Sequence, residues 1–400
     1  MKSTLLSLLP LLMMTCTASA GNTAAQAVNE GGLRIFRAVE KTDANLCLSP
    51  YSIQAALAMT YAGARGTTMS QMAAALGFPD NPAELADGFE KLDAALSASR
   101  ERCGKDTSFH IANRLFGAAG FAFRPAFLEM LKRQFSAPLE EMDFQGDPAR
   151  VAGLINQWVE GQTEKRIRNL IPANALDRTT TLVLANALYL KIPWAEEFMA
   201  GATKELPFLV CGRDSAAVPT MSRTGSFGYA ELPGFQAVGV PFRGGQFQFL
   251  ILLPDKDGPA ALPSAGLMEK CASLPRRDVH LFLPKFRLEP PTLSLADALK
   301  SLGVKDAFDI PRGSADFDGM APRKPDDYLY LSDVFHKTFF ALDEKGVEAA
   351  AATAVVMMRA TSMPVQMEPL EVRVDRPFLF AIQHIPTSAC LFLGRITDPR

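Results

Sequence analysis

Residues 343–364 read Asp343-Glu344-Lys345-Gly346-Val347-Glu348, then Ala349, Ala350, Ala351 and Ala352, then Thr353-Ala354-Val355-Val356-Met357-Met358-Arg359-Ala360-Thr361-Ser362-Met363-Pro364. An alanine run on its own suggests a surface helix, because alanine is the best helix former. Two features oppose that. Gly346 and β-branched Val347, Thr353, Val355 and Val356 flank the run, and the segment lacks the apolar stripe by which a helix docks. It is a stretch of small side chains equally compatible with helix and strand, so its surroundings must decide its conformation.

The surroundings carry clear signals of both element types. Ser49-Pro50 followed by Ile53, Leu57 and Tyr61 predicts an N-capped core helix ending at Gly63 to Gly66. Helices are also predicted from Thr68 to Leu76 with a stop at Gly77, from Pro125 onward, and from Leu295 to Leu302 before Gly303. Thr181 to Leu190 is an almost unbroken apolar run with Asn186 as its odd member, as in a strand covered on both faces. Ala237 to Phe242 and Phe247 to Pro254 flank Gly244-Gly245 as a tight hairpin. Val279 to Leu288 alternates around Pro284, and two strands, Glu371 to His384 and Ala389 to Ile396, close the chain. No repeat or composition break divides the 400 residues, which predicts a single α+β domain.

Composition narrows the functional classes. Hydrophobic residues make up 48% and charged residues 21%, as in a packed globule, and a net charge of -2 gives no field for nucleic acid or anionic membrane. Lys2, the apolar stretch from Leu5 to Met14 and Ala18-Ser19-Ala20 read as an export leader over residues 1–20, leaving a domain of 21–400 that is secreted or periplasmic. Acylation of Cys16, giving a lipid-anchored protein, is the alternative. Cys47, Cys103, Cys211, Cys271 and Cys390 are odd in number, with no CxxC pair or zinc-like spacing, and read as buried thiols rather than disulfide or metal sites.

No catalytic signature emerges. The chain has no G-x-S-x-G, H-E-x-x-H, G-x-x-x-x-G-K or G-x-G-x-x-G motif, and its four histidines, His110, His280, His336 and His384, lie in no nucleophile or metal context. No enzyme activity, metal or cofactor is therefore expected.

Asn45-Leu-Cys-Leu-Ser-Pro-Tyr-Ser-Ile53, Ile155-Asn-Gln-Trp-Val159 with Thr163 and Ile167, and Leu182 to Lys191 leading to Trp194 resemble segments of the serpin family. Leu283-Pro-Lys-Phe286, Ala315 to Met320, Val334-Phe-His-Lys337 and Val374 to Phe380 continue the resemblance in family order, from about residue 29 to 398. Lys165-Arg166 departs from the family's Gly-Lys. The likeness, joined to the leader, points to an exported bacterial serpin. It implies a fold with three β-sheets, eight or nine helices and an exposed reactive-centre loop at about 344–370.

The resemblance also implies a mechanism. A serine protease, the one partner expected of this monomer, cuts the loop; the segment from Val347 onward then enters the main sheet as a new strand and traps the acyl-enzyme. The hinge comprises Glu344, Gly346, Val347, Glu348, Ala349 to Ala352 and Thr353. On the inserted strand Val347, Ala349, Ala351 and Thr353 would turn inward, and all are uncharged, whereas Glu348 has the opposite parity and can remain in solvent. Family likeness assigns Ser49, Ser52, Asn186 and His336 to the shutter where the sheet opens, although Ser49 and Ser52 also read as simple helix caps. Trp194, Lys285 and Glu344 correspond to the breach above it. Sixteen positions after Glu344 lies Ala360, which places the cut before Thr361 and suits an elastase-like pocket; Arg359, Met357 and Met358 remain alternatives. A carrier or folding helper whose loop cannot insert is the rival reading. A heparin-type site is not indicated, since Lys91, Arg100, Arg102 and Lys105 are scattered among acids.

Overall fold

The computed structural model describes residues 20–41, 44–255, 262–348 and 368–400. The leader with Cys16, and Ala349, Ala350, Ala351, Ala352, Thr353, Arg359, Ala360 and Thr361 of the loop, lie outside the described residues. After helix α1 (Ala20–Val39) and strand β1 (Leu46–Leu48), extended Ser49 accepts a hydrogen bond from the Ser52 N–H and Pro50 takes the first helical position, starting α2 (Pro50–Gly63). Next, α3 (Gly66–Leu76) begins two residues before the expected Thr68 and stops at Gly77, whose φ of 72° suits glycine. α4 (Pro82–Arg102), β2 (Ser108–Ala118), α5 (Pro125–Phe135), β3 (Glu140–Met142) and α6 (Pro148–Gln162) follow.

The apolar run becomes β4 (Leu182–Pro193), buried almost throughout. Leu182, Leu184, Leu188, Leu190 and Ile192 enter the main core, while Val183, Ala185, Ala187 and Tyr189 pack with Val151, Ile155 and Val159 of α6. A strand sandwiched this way has no face to give to water, which is why the sequence does not alternate.

Strands dominate thereafter: β5 (Lys204–Val210), β6 (Asp214–Leu232), β7 (Phe235–Pro241) and β8 (Phe247–Pro254), then α7 (Ala265–Cys271), β9 (Arg276–Pro284), β10 (Phe286–Leu288), β11 (Leu293–Ser294) and α8 (Ala296–Ser301). The last third holds β12 (Leu331–Asp343), β13 (Gly346–Val347), β14 (Leu370–Arg373), β15 (Phe378–His384) and β16 (Cys390–Ile396). Eight α-helices are present among the described residues, within the expected range. Hydrogen bonding joins the strands into two sheets rather than three. One has nine strands in the order β1-β16-β15-β8-β7-β6-β9-β14, with β5 beside β6; the other runs β10-β12-β13-β4-β2-β3, with β11 beside β12. The count falls to two because β6 is a single 19-residue strand that pairs with β5 and β9 over most of its length and with β7 at its end.

Two breaks explain how the sheets connect. Pro284 ends β9 in the first sheet, and Phe286 begins β10 in the second, so the interruption read at that proline is a change of sheet. The expected strand from Glu371 to His384 is two strands, because Pro377 cannot donate to a ladder and Arg376 turns aside to the Pro254 carbonyl. Cys47, Cys103, Cys271 and Cys390 are buried as expected, and burial pushes Cys47 and Cys271 up to about 12 and Cys103 to about 11. Cys211 differs, being half-buried in a turn with φ of 49°.

The sheets meet on an aromatic cluster centred on Phe340 of β12, whose ring lies 4.8 Å from Phe380, 5.6 Å from Phe286 and Phe392, and 6.3 Å from Phe249. Phe340→Ala should destabilise the fold by about 3–5 kcal/mol through lost burial and a residual cavity. Urea unfolding should show a lower midpoint at unchanged slope; a shift under about 1 kcal/mol would mean the cluster is not what joins the sheets.

Candidate functional site

β12 and β4 run parallel and pair directly from Leu331–Leu182 to Phe339–Tyr189. Beyond that point the strands part, and the two residues of β13 fill the opening. Leu342 pairs with Val347 and Asp343 with Gly346 on one side, while Ile192 and Pro193 take the same two residues on the other. The hinge therefore starts inside the sheet, with Val347 fully buried. Gly346 has φ of 146°, and a Cβ there would lie 2.3 Å from the Ile192 carbonyl oxygen, so only glycine fits the crossing.

Above the opening, the structure brings Trp194, Lys285 and Glu344 together. The Trp194 indole stacks on Phe242 at 4.7 Å and donates through Nε1 to the Asp343 carbonyl at 2.9 Å, while its backbone N–H donates to the Lys345 carbonyl. The Glu344 carboxylate takes Lys285 Nζ at 2.8 Å and the Thr203 hydroxyl at 2.7 Å, and its backbone carbonyl accepts the Phe198 N–H. Burial works to raise the Glu344 pKa, but the hydrogen bonds from Lys285 and Thr203 outweigh it and hold the carboxyl below its usual range.

Below the opening, Ser49, Ser52, Asn186 and His336 are all fully buried and linked. His336 Nε2 accepts the Ser49 N–H at 3.1 Å, so that nitrogen carries no proton; Nδ1–H is then the donor to Asn186 Oδ1. Asn186 Nδ2 donates onward to Ser52 Oγ at 2.7 Å and to Asn113 Oδ1 at 2.6 Å. Ser52 Oγ–H donates to Asn113 Oδ1 at 2.7 Å, and Asn113 Nδ2 donates to the Ser52 carbonyl. Ser49 thus caps α2 by accepting the Ser52 N–H, and the two serines together tie that helix to β4 and β12. Neutral His336 is required here, and burial lowers its pKa to about 3 against the opposing Asn186 bond.

Asn113, Thr203 and Arg166 were not predicted. Asn113 sits directly opposite Asn186 in the ladder between β2 and β4, and an asparagine inside the otherwise strand-like Phe109 to Phe116 run was the available signal. Nothing local marks Thr203. Arg166 meets Glu348, which in the uncut chain is mostly covered and forms an ion pair with it. Parity places Glu348 on the opposite face from Val347, yet that face is covered by the turn after α6. Among the described residues no cluster of histidine, cysteine or acidic side chains could hold a metal, and no helix is long and apolar enough to cross a membrane. Of the other histidines, His384 is buried between Ser99 and Thr387, and His110 stacks on Tyr189.

A family model described as serpin (serine protease inhibitor) matches residues 26–399. The chain belongs to the serpin family. Pig leukocyte elastase inhibitor is 36% identical over 92% of this chain and 97% of its own length. An uncharacterized serpin-like protein of Thermococcus kodakarensis is 35% identical over 94% of this chain and 85% of its own. The crystal structure of Serpin48 from the beetle Tenebrio molitor superposes with a TM-score of 0.78 at 29% identity, covering 94% of this serpin and 98% of that chain. None of these three is bacterial, so the expected bacterial origin is not borne out.

Two buried neutral histidines give this serpin a definite acid response. His336 near 3 and His384 near 4, both lowered chiefly by burial, compare with about 6.5 in an unfolded chain. The unfolded state binds more protons between those values, so their contribution is complete above pH 6.5 and is lost as pH falls toward 4, by on the order of a few kcal/mol per histidine. Melting temperature should fall between pH 6.5 and 5, before most carboxylates titrate, and His336→Gln should flatten the slope. An unchanged slope in that variant would show that His336 is not the group responsible.

Proposed function

We propose that this serpin is an irreversible suicide-substrate inhibitor of a serine protease of the elastase type. The observation that supports it most is the seat of Gly346 and Val347 between β12 and β4: the sheet can take loop strand at that point, and the uncharged series Val347, Ala349, Ala351 and Thr353 suits its continuation. The protease serine hydroxyl attacks the Ala360 carbonyl carbon. An ester to Ala360 forms, the Ala360–Thr361 amide breaks, and the hydroxyl proton passes to the departing Thr361 amine. Insertion then competes with hydrolysis of that ester. About a dozen residues gaining ladder bonds at roughly 1 kcal/mol each supply on the order of 10 kcal/mol, enough to make insertion one-way.

In this reading Ser49, Ser52, Asn186 and His336, with Asn113, form the shutter that must part. Trp194, Lys285, Glu344 and Thr203 form the breach that anchors the loop's upper end. Ala360 before the cut favours a shallow specificity pocket, and likeness to proteins named leukocyte elastase inhibitor supports the same class. Residues 1–20 serve as the leader in this proposal, giving a secreted or periplasmic monomer of residues 21–400, and Cys16 acylation is the alternative route to an anchored form. The hinge also argues against a carrier or folding helper, which has no need of a loop that enters the sheet.

Incubation with elastase and trypsin should give a complex with elastase that survives denaturing gels, and mass spectrometry of the released fragment should show a new N-terminus at Thr361. Strong trypsin trapping with an N-terminus at Ala360 would move the cut to Arg359, and cleavage with no complex from any serine protease would favour the non-inhibitory reading.

Val347→Arg should turn the inhibitor into a substrate. An unpaired guanidinium in that buried slot costs several kcal/mol, so insertion loses the race while binding and cleavage persist. Stable complex formation by the variant would overturn the assigned inward parity.

A further inference from the structure

Glu348 lies at the fork where direct pairing of β12 and β4 gives way to β13. Its N–H donates to the Ala341 carbonyl at 3.0 Å, and its φ of 43° turns the chain out of the sheet, a conformation that side chains with a Cβ rarely adopt. The side chain is only 15% exposed and folds onto Arg166, which takes Oε1; Oε2 is buried without a hydrogen-bond partner. Arg166 and Arg287 both lie over the Phe339 ring, at 5.7 and 4.7 Å, on the last directly paired position of the seam. Arg287 is in direct contact with Glu289, and Arg166 is the cation in direct contact with Glu348, with Arg287 and Lys191 acting on that carboxylate from farther away.

We propose that Arg166 is a positioning residue for the inhibitory reaction: it holds Glu348 at the fork, and so keeps Gly346 and Val347 seated in the sheet before the loop is cut. This rests on the inhibitory reading for its consequence but not for its geometry. Without Arg166, the covered carboxylate loses its direct ion-pair partner and keeps only the more distant charges of Arg287 and Lys191, so its least costly escape is into solvent. Because Val347 is the next residue, that movement draws β13 out of its slot. Insertion after cleavage then starts from the beginning rather than with its first inward residue in place, and more ester is hydrolysed before capture. Burial raises the Glu348 pKa, and Arg166 is the largest of the influences that oppose it, ahead of Arg287, Tyr189 and Lys191.

The test places a cysteine at the buried hinge position, Val347→Cys, in the full chain and measures its alkylation by iodoacetamide, with peptide mapping to separate it from the native thiols. Arg166→Met should raise the alkylation rate at residue 347 about tenfold, and Arg166→Lys should largely restore it. Glu348→Gln should act similarly, and joining it to Arg166→Met should add little. In otherwise unaltered protein, Arg166→Met should raise the moles of inhibitor consumed per protease trapped at least twofold, and Arg166→Lys should return it. Unchanged alkylation in Arg166→Met, failure of lysine to rescue, or additive single effects would overturn the latch. Increased alkylation with unchanged stoichiometry would overturn its role in the reaction. If the unaltered protein traps no protease at all, the inhibitory reading fails, while the alkylation series still decides whether Arg166 seats the hinge.

Discussion

Direct pairing of β4 with β12 stops at Tyr189 and Phe339, and the rest of the site is arranged around that unfinished seam. A parallel pair buried on both faces cannot leave backbone donors and acceptors open to the interior without a partner. The opening above the seam is therefore filled by Gly346 and Val347, from the same chain that would supply the remainder of the strand. Stability and function make opposite demands on this seam: it must hold closed before cleavage and part afterwards. A wholly apolar seam would meet only the first demand, since close-packed side chains gain nothing by separating.

The polar chain from Ser49 to Asn113 addresses the second demand. Each member is satisfied by the others: the His336 ring links a helix-cap N–H to Asn186, and Asn186 hands its two donors to Ser52 and Asn113. Such a network specifies one closed arrangement without filling the space between strands with interlocked hydrocarbon. Its members come from α2, β2, β4 and β12, so parting the seam disturbs contacts across all four elements. That distribution makes opening cooperative and explains why a change of protonation at one buried ring would be felt throughout the sheet.

Much of this was legible because the signals were local. Ser49-Pro50 marks a helix start, Gly244-Gly245 a hairpin, and Thr181 to Leu190 a doubly covered strand, each through the conformational preferences of adjacent residues. Asn186 could be suspected because a lone asparagine in an apolar run must find partners. Its link to Asn113 could not be read, since register between β2 and β4 depends on long-range packing. Thr203 gave no signal, as any small hydroxyl residue in a turn looks alike. The sheet count differed because sequence reveals where a strand can form but not that β6 continues unbroken between two sets of neighbours. The cover over Glu348 could not be read for another reason: alternation assigns a face, and only the fold shows what covers that face in the uncut chain.

Glu344 and Glu348 bracket β13, and their unequal satisfaction gives the hinge a direction of movement. Glu344 is held by Lys285 and Thr203 and by its backbone to Phe198, with a depressed pKa as the measure of a well-met charge. Glu348 has one direct ion pair, an orphaned oxygen, a left-handed backbone and a raised pKa. Strain and unmet polarity collect at one end of a two-residue strand, while the other end is fixed by three residues, Lys285, Thr203 and Phe198. Motion should therefore pivot about Glu344 and begin at Glu348. Gly346 stands between them as the only residue type that fits against the Ile192 carbonyl, so the pivot end cannot slide to share the load. A loop anchored above and poorly satisfied below can relieve its strain by leaving the sheet before cleavage. After cleavage it can relieve that strain by feeding further in, where ladder bonds continue and the left-handed turn is no longer needed.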